Sequence, residues 1–330
     1  MPQDFATHTR NTNFLAVLNR ELDASATFHE CSALSIALEN LRRDLRTRLE
    51  NDPQMSTGWI TFPLLLIISV IVFFTIILAE IFGYIFSAPS GTPLFTTDLL
   101  RTIAPTILGF SIVAFVLNVV IAYMIFRLLR RRNTHFARQN LLYEDLASGA
   151  EELATKKGVR TEASIGLNNL DRIDREARAY EPEKSAALWV MLTLAGTSLP
   201  SATRLASPTA FALLPLLAVL YVYYFLMKDF FRHERREDQF IRELLGVLAV
   251  SGVQVSLPYR NPPLSERSFA VYVVLSIVTV GFFWVYWVYV LLNDPNNHFR
   301  QQALVEDTLM AQMTPLLTPP PSSPQPASQA

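Results

Sequence analysis

The sequence predicts an all-α fold, a multi-pass α-helical integral membrane protein with cytosolic helices. Three observations carry this. Five apolar stretches, Trp59–Phe86, Ile103–Leu129, Ala186–Leu199, Phe211–Met227 and Phe269–Leu292, interrupt the chain. The first, second and last reach the roughly 20 residues a helix needs to cross a bilayer. Runs such as Leu64 to Phe74 have no polar face, which suits lipid better than a half-buried position. Inside lipid a helix satisfies every backbone amide within its own segment, and the alternating short segments of a β-barrel are missing from the sequence.

Residues 1–58 read as a cytosolic N-terminal helical region. They are polar, with no short apolar core near the start, so the first span is expected to act as an uncleaved signal anchor. Thr27 and Glu30 have capping-box spacing. Leu34, Leu38, Leu41, Leu45 and Leu49 fall on one face of a helix expected from Thr27 to Glu50. Residues 59–129 form the first transmembrane hairpin, with the Ser87–Thr102 loop outside. Residues 130–185 read as a cytosolic region of two helices, Phe136–Lys157 and Leu167–Tyr180, parted by Gly158 and Gly166. Residues 186–228 form a second hairpin whose first limb is short for a span.

Residues 229–267 follow as a cytosolic helix and linker. The apolar run Leu244–Leu257 is too short to cross and is expected to be a buried or interfacial helix, and Pro258, Pro262 and Pro263 mark the linker. Residues 268–292 read either as one straight span or as a compressed hairpin turning near Thr279-Val280-Gly281. Each limb of that hairpin would be about 12 residues, about 18 Å of helix, and its turn would have to be shielded from lipid. Residues 293–313 predict a short helix, and the Pro/Ser-rich tail 314–330 a disordered segment of polyproline character.

Charge sets the orientation. Arg42, Arg43, Arg46 and Arg48 precede the first span, and Arg127, Arg130, Arg131, Arg132 and Arg138 follow the second. Lys228, Arg232, Arg235 and Arg236 follow the fourth, whereas the two intervening loops hold only Arg101 and Arg204. The positive-inside rule then places the N-terminus in the cytoplasm. The net charge of −1 offers no bulk attraction for nucleic acid, and the single cysteine, Cys31, excludes an internal disulfide.

Three membrane exits look alike. Each carries a histidine beside a phenylalanine, in His135-Phe136, Phe231-Arg232-His233 and His298-Phe299. A leucine follows each histidine eleven residues on, Leu146, Leu244 and Leu309, with Asp145, Glu243, and Glu306 with Asp307 just before. Such self-similarity suggests three repeated helical hairpin units, each an apolar hairpin followed by a cytosolic helix.

At the last turn, Thr279-Val280-Gly281-Phe282-Phe283-Trp284-Val285-Tyr286-Trp287-Val288-Tyr289 resembles the Thr-x-Gly-aromatic turn followed by Trp of an uncharacterised family of small prokaryotic membrane domains, a domain of unknown function. The resemblance covers about Ser268–Phe299. It implies a prokaryotic cell membrane and no activity. The chain departs from the pattern at Trp284, where the family carries a small residue.

Few residues offer chemistry. Glu80 is the one acidic residue within a long span, expected near the outer interface close to Arg101, hydrated or paired there. Asn118, mid-way along the second span, is expected to make an interhelical hydrogen bond. Both are also the candidates for a transport path. His135, His233 and His298 are the candidate metal ligands if three units close around an axis, since three imidazoles can hold zinc. The plainer expectation is solvated histidines at helix starts, with no metal and no cofactor. His29 has no local support as a ligand. Phosphate-binding loops, Rossmann glycines, zinc-protease motifs and nucleophile elbows do not occur, so enzyme activity is not expected. Two classes follow. The first is a membrane-anchored assembly or adaptor protein whose leucine-striped cytosolic helices meet a protein partner or a second copy. The alternative is a small transporter or channel subunit using Glu80 and Asn118.

Overall fold

The computed structural model describes residues 39–87, 89, 97–198 and 209–317, and among these residues the regular structure is helical throughout. Helix α1 covers 39–51. A 3-10 turn, Thr57–Ile60, leads into α2 (Thr61–Ser87). Then come α3 (Thr97–Lys156), α4 (Ser164–Tyr180), α5 (Ala186–Ser198), α6 (Thr209–Val250), α7 (Phe269–Val278) and α8 (Phe282–Leu317). The expected cap at Thr27 and Glu30, His29, Cys31, Leu34, Leu38, Arg204 and the tail from Thr318 lie outside the described residues.

Local chemistry explains the boundaries. Pro63 sits in the first turn of α2, where its missing N–H removes nothing. Gly158, at φ 72°, stops α3 and lets Val159 N reach the Ala154 carbonyl at 2.9 Å. Nothing between Pro105 and Gly158 breaks a helix. The second apolar stretch and the helix expected at Phe136–Lys157 are therefore one continuous 60-residue helix.

Gly166 does not separate helices; it lies inside α4. A Cβ there would stand 2.6 Å from Val247 Cγ2, so its absence lets α4 and α6 touch. The Leu244–Leu257 run is not a separate helix either. Its first half ends α6, and an extended strap follows from Val253 to Arg267. Helix α8 continues to Leu317, past the expected end at 313.

The chain reverses between α7 and α8. Phe269 meets Trp287 at 5.5 Å between ring centroids and Tyr272 meets Phe283 at 5.1 Å, so the two helices run antiparallel. Val280 and Gly281 take positive φ at this turn. Thr279 Oγ1 donates to the Leu275 carbonyl at 2.7 Å and accepts from Phe283 N at 2.8 Å. Gly281 N bonds the Ser276 carbonyl at 2.7 Å and Phe282 N the Thr279 carbonyl at 3.1 Å. The backbone donors of the turn are thus satisfied within it.

Three helix pairs emerge, α2–α3, α5–α6 and α7–α8, each a shorter apolar helix followed by a longer one that carries a histidine. Their long members build two apolar cores. One lies among Met124, Leu128, Val222, Tyr223, Trp287 and Leu291. The other, at the polar end, gathers Leu142, Leu146, Leu170, Phe240, Leu244 and Leu309, with Leu41 of α1 covered by it. The segments Thr57–Ser87 and Thr97–Lys156 are long and apolar enough to cross a membrane. Leu65, Val72, Phe74, Leu108, Phe115 and Val116 face outward there.

Candidate functional site: a three-histidine junction

Between the two apolar cores lies a buried polar layer, and His135 of α3, His233 of α6 and His298 of α8 stand at its centre. They occupy the middle of their helices and are at most 1% exposed, so the expectation of solvated histidines at helix starts is overturned. Their ring centroids are 5.1, 5.3 and 5.5 Å apart, with the rings near perpendicular to one another. Their potential ligand atoms all lie within 4.8 Å of one another.

Each Nδ1 faces a carboxylate. Asp52 Oδ1 is 2.7 Å from His135 Nδ1, Glu181 Oε2 is 3.0 Å from His233 Nδ1, and Glu234 Oε2 is 3.0 Å from His298 Nδ1. A carboxylate accepts, so Asp52 and Glu181 favour the proton on Nδ1 of His135 and His233, while His298 Nδ1 faces both Glu234 and, at 3.2 Å, the donating Nη1 of Arg260. His135 Nε2 and His233 Nε2 stand 3.3 Å apart. His298 Nε2 has no hydrogen-bond partner; Glu237 Oε2 lies 3.7 Å from it. Burial pushes the His135 and His298 imidazoles well below their ordinary range and His233 down to about 4, so the neutral rings are the stable ones.

Arginines hold the carboxylates. Arg138 bridges Asp52 at 2.8 Å and Glu306 at 2.9 Å. Arg236 pairs with Glu181. Arg260, from the strap, reaches Glu237 at 2.5 Å, Asp238 at 3.0 Å and Glu234 at 3.5 Å. Burial pushes the Asp52 and Glu306 carboxyls up, against the pull of Arg138. Phenylalanines close the layer. Phe136 stacks on His233 at 4.4 Å, Phe299 leans on His135 at 4.5 Å, and Phe230 packs beside His135 and His298.

A second layer of pairs stabilises the approach. Arg131 donates to Asn296 Oδ1 at 2.7 Å, and Asn296 also bonds both backbone groups of Met55. Arg132 pairs with Asp229 at 2.8 Å and Arg267 with Asp294 at 3.0 Å.

The other singled-out residues lie elsewhere. Glu80 does not pair with Arg101. It accepts from Thr106 Oγ1 at 2.6 Å, while Arg101 lies 3.8 Å from Asp98 on its own helix. Asn118 makes no interhelical bond; its amide donates to the Ala114 carbonyl one turn back, at 2.8 Å. The Asn118 bond follows from helix geometry, which brings groups four residues apart within reach. The Glu80 bond follows from the antiparallel packing of α2 on α3.

The sequence reading named the histidines but missed Asp52, Glu181, Glu234 and Arg138. One signal was present: each helix pair is preceded by an Xaa-Pro step, Asp52-Pro53, Glu181-Pro182 and Asn261-Pro262. In the first two the residue before proline supplies the carboxylate for the histidine of its own pair. In the third the residue before that step is Arg260, and Glu234 of α6 serves His298 instead.

Residues 267–318, which span α7 and α8 and include His298, match a domain of unknown function, DUF4234. This is the region whose turn resembles that uncharacterised family. No curated protein and no solved structure matches the chain.

Proposed function

We propose that the chain is a multi-pass membrane protein that binds one divalent transition-metal ion, zinc first among them, through His135, His233 and His298. One observation carries this reading: three buried histidines bring a ring nitrogen each within 4.8 Å of one another, and a carboxylate stands beside every Nδ1. With both rings protonated on Nδ1, the Nε2 lone pairs of His135 and His233 face each other at 3.3 Å, an arrangement that a shared cation stabilises. A tetrahedral zinc with Zn–N bonds of about 2.0–2.1 Å needs its nitrogens about 3.3–3.4 Å apart. Carboxylates behind ligating imidazoles fix the ring and raise its basicity. The charge balance agrees. Six carboxylates, Asp52, Glu181, Glu234, Glu237, Asp238 and Glu306, meet three guanidiniums, Arg138, Arg236 and Arg260, so the carboxylates outnumber their partners by three. Arg48 and Asp307 add one charge of each sign: Arg48 lies 2.8 Å from Asp307 and 3.5 Å from Glu306.

Metal analysis of detergent-purified protein tests it. The expected result is about one zinc-class ion per chain, lost when any one of the three histidines becomes alanine. Protein that carries no such ion after growth in zinc, and melts at the same temperature with and without added zinc, overturns the proposal.

In the membrane, α2 and the first half of α3 cross the bilayer, with the junction on the arginine-rich cytoplasmic side. Helix α7, at 10 residues about 15 Å long, is too short to cross. Its turn packs near Ile67, less than two turns into α2, so the α7–α8 pair enters part-way and returns. The self-contained hydrogen bonding of the turn suits that depth. The three pairs are then copies of one unit, with both chain ends in the cytoplasm. A C-terminal tag accessible only from outside would break this arrangement.

The metal reading accounts for more of the chain than an adaptor or transporter does. Leu41 and Leu45 lie against α3 and α8, so part of the α1 stripe has a partner within the chain, while Leu49 at its end is exposed. Asn118 is engaged with its own helix, and Glu80 accepts from Thr106 of α3 through one oxygen while its Oε2 is buried without a hydrogen-bond partner.

A further inference from the structure

One helical turn beyond the three histidines stands a second ring. Four residues on from each histidine come Gln139, Glu237 and Gln302. All three are buried, at 2%, 1% and 1% exposure. Gln302 donates to Gln139 Oε1, so two members of the ring are occupied with one another. The third is the ring's lone carboxylate. Residues four apart on a helix lie on the same face, so Glu237 shares the inward face with His233.

We propose that Glu237 is the fourth ligand of the metal, making a closed centre of three imidazoles and one carboxylate, and that Arg260 holds this carboxylate ready when the ion is away. The inference rests on the metal reading above. Glu237 Oε2 already lies 3.7 Å from His298 Nε2, close to the separation of two ligand atoms on one tetrahedral ion. It is ion-paired with Arg260 Nη2 at 2.5 Å but makes no well-directed hydrogen bond there. Turning Glu237 toward the centre leaves Arg260 with Asp238 at 3.0 Å and Glu234 at 3.5 Å, so the guanidinium is not stranded. One positive charge gives way to another at the same carboxylate. A closed ligand set also matches the surroundings, since the histidines are sealed from solvent, whereas a metal centre that works on a substrate keeps an open position.

Cobalt(II) titration of the full-length, detergent-purified chain tests the assignment. The wild-type protein is expected to show the intense visible bands of tetrahedral cobalt, unmoved by azide, because no exchangeable ligand is present. Glu237→Gln keeps the size of the side chain and its contact with Arg260. It is expected to bind cobalt about tenfold or more weakly, with bands that shift on azide addition as solvent takes the fourth position. Glu237→Asp, which keeps the charge and shortens the reach, serves where the Gln variant does not fold and is expected to become azide-sensitive in the same way. Wild-type bands that move with azide, or variants with wild-type affinity and spectrum, overturn the role of Glu237 and leave the three-histidine site standing. Cobalt that fails to bind the wild-type chain removes the site itself, and this inference with it.

Discussion

The outer half of the α2–α3 pair and the histidine junction solve opposite problems. In the first, apolar side chains such as Val72, Leu108 and Val116 point away from the protein, and Ser69, Thr75, Ser111 and Asn118 bond to their own helix, with Thr106 to Glu80 a bond that crosses between the two. In the second, charged groups are buried and bonded across helices distant in sequence, as in Arg138 to Asp52 and to Glu306. The outer pair needs little specific packing from the protein. The junction needs every partner, because an unpaired buried charge costs far more than a lost contact.

Substitutions can break this contrast, and the largest effect is expected at its polar end. Arg138→Met strands two buried carboxylates. It should cost on the order of 3–5 kcal/mol, seen as loss of monodisperse protein or a large fall in melting temperature. Replacing all three partners together, with Asp52→Asn and Glu306→Gln, should recover part of the loss. A smaller effect tests the packing beside the junction. Gly166→Ala forces a Cβ against Val247 Cγ2 and should cost about 1–3 kcal/mol, with recovery in Gly166→Ala/Val247→Ala.

The turn of the third pair comes next. Thr279→Val removes one acceptor and one donor and leaves Phe283 N unpaired. It should cost about 1–2 kcal/mol, while Thr279→Ser stays near wild type in the same denaturation assay. The smallest effect sharpens the comparison from the other side. Leu108→Ala on the outward face should change stability by less than about 0.5 kcal/mol. Leu128→Ala, at a buried position further along the same helix, should cost about 2–5 kcal/mol. Equal losses at the two leucines would erase the distinction between the halves.

The helical class was legible because it depends on runs such as Leu64 to Phe74, which are local. The kinship of the last pair was legible for the same reason, since Thr279, Gly281 and the aromatic residues after them stand in one short stretch. The placement of the histidines was not. Whether His135 is solvated or buried depends on Asp52, 83 residues away, and on Arg138 finding Glu306, 168 residues away. No periodicity carries such pairings. Charge counting is blind to the same pairings: Arg131, Arg132 and Arg138 enter it only as flanking charges that set orientation, yet each is enclosed and neutralised or bonded by groups from other parts of the chain. Glu80 shows the converse. Its expected partner Arg101 was a charge, but the group that reaches it is the Thr106 hydroxyl, which lies deeper along α3.

Helix α3 runs from Thr97 through the junction to Lys156, a rod of about 90 Å. Its one interior proline, Pro105, lies near its start, and from there to Lys156 no proline interrupts it. A change of about 5° in its inclination displaces one tip relative to the other by about 8 Å over such a length. His135 stands within that same rod, so a tilt at one end is carried to the junction as a displacement.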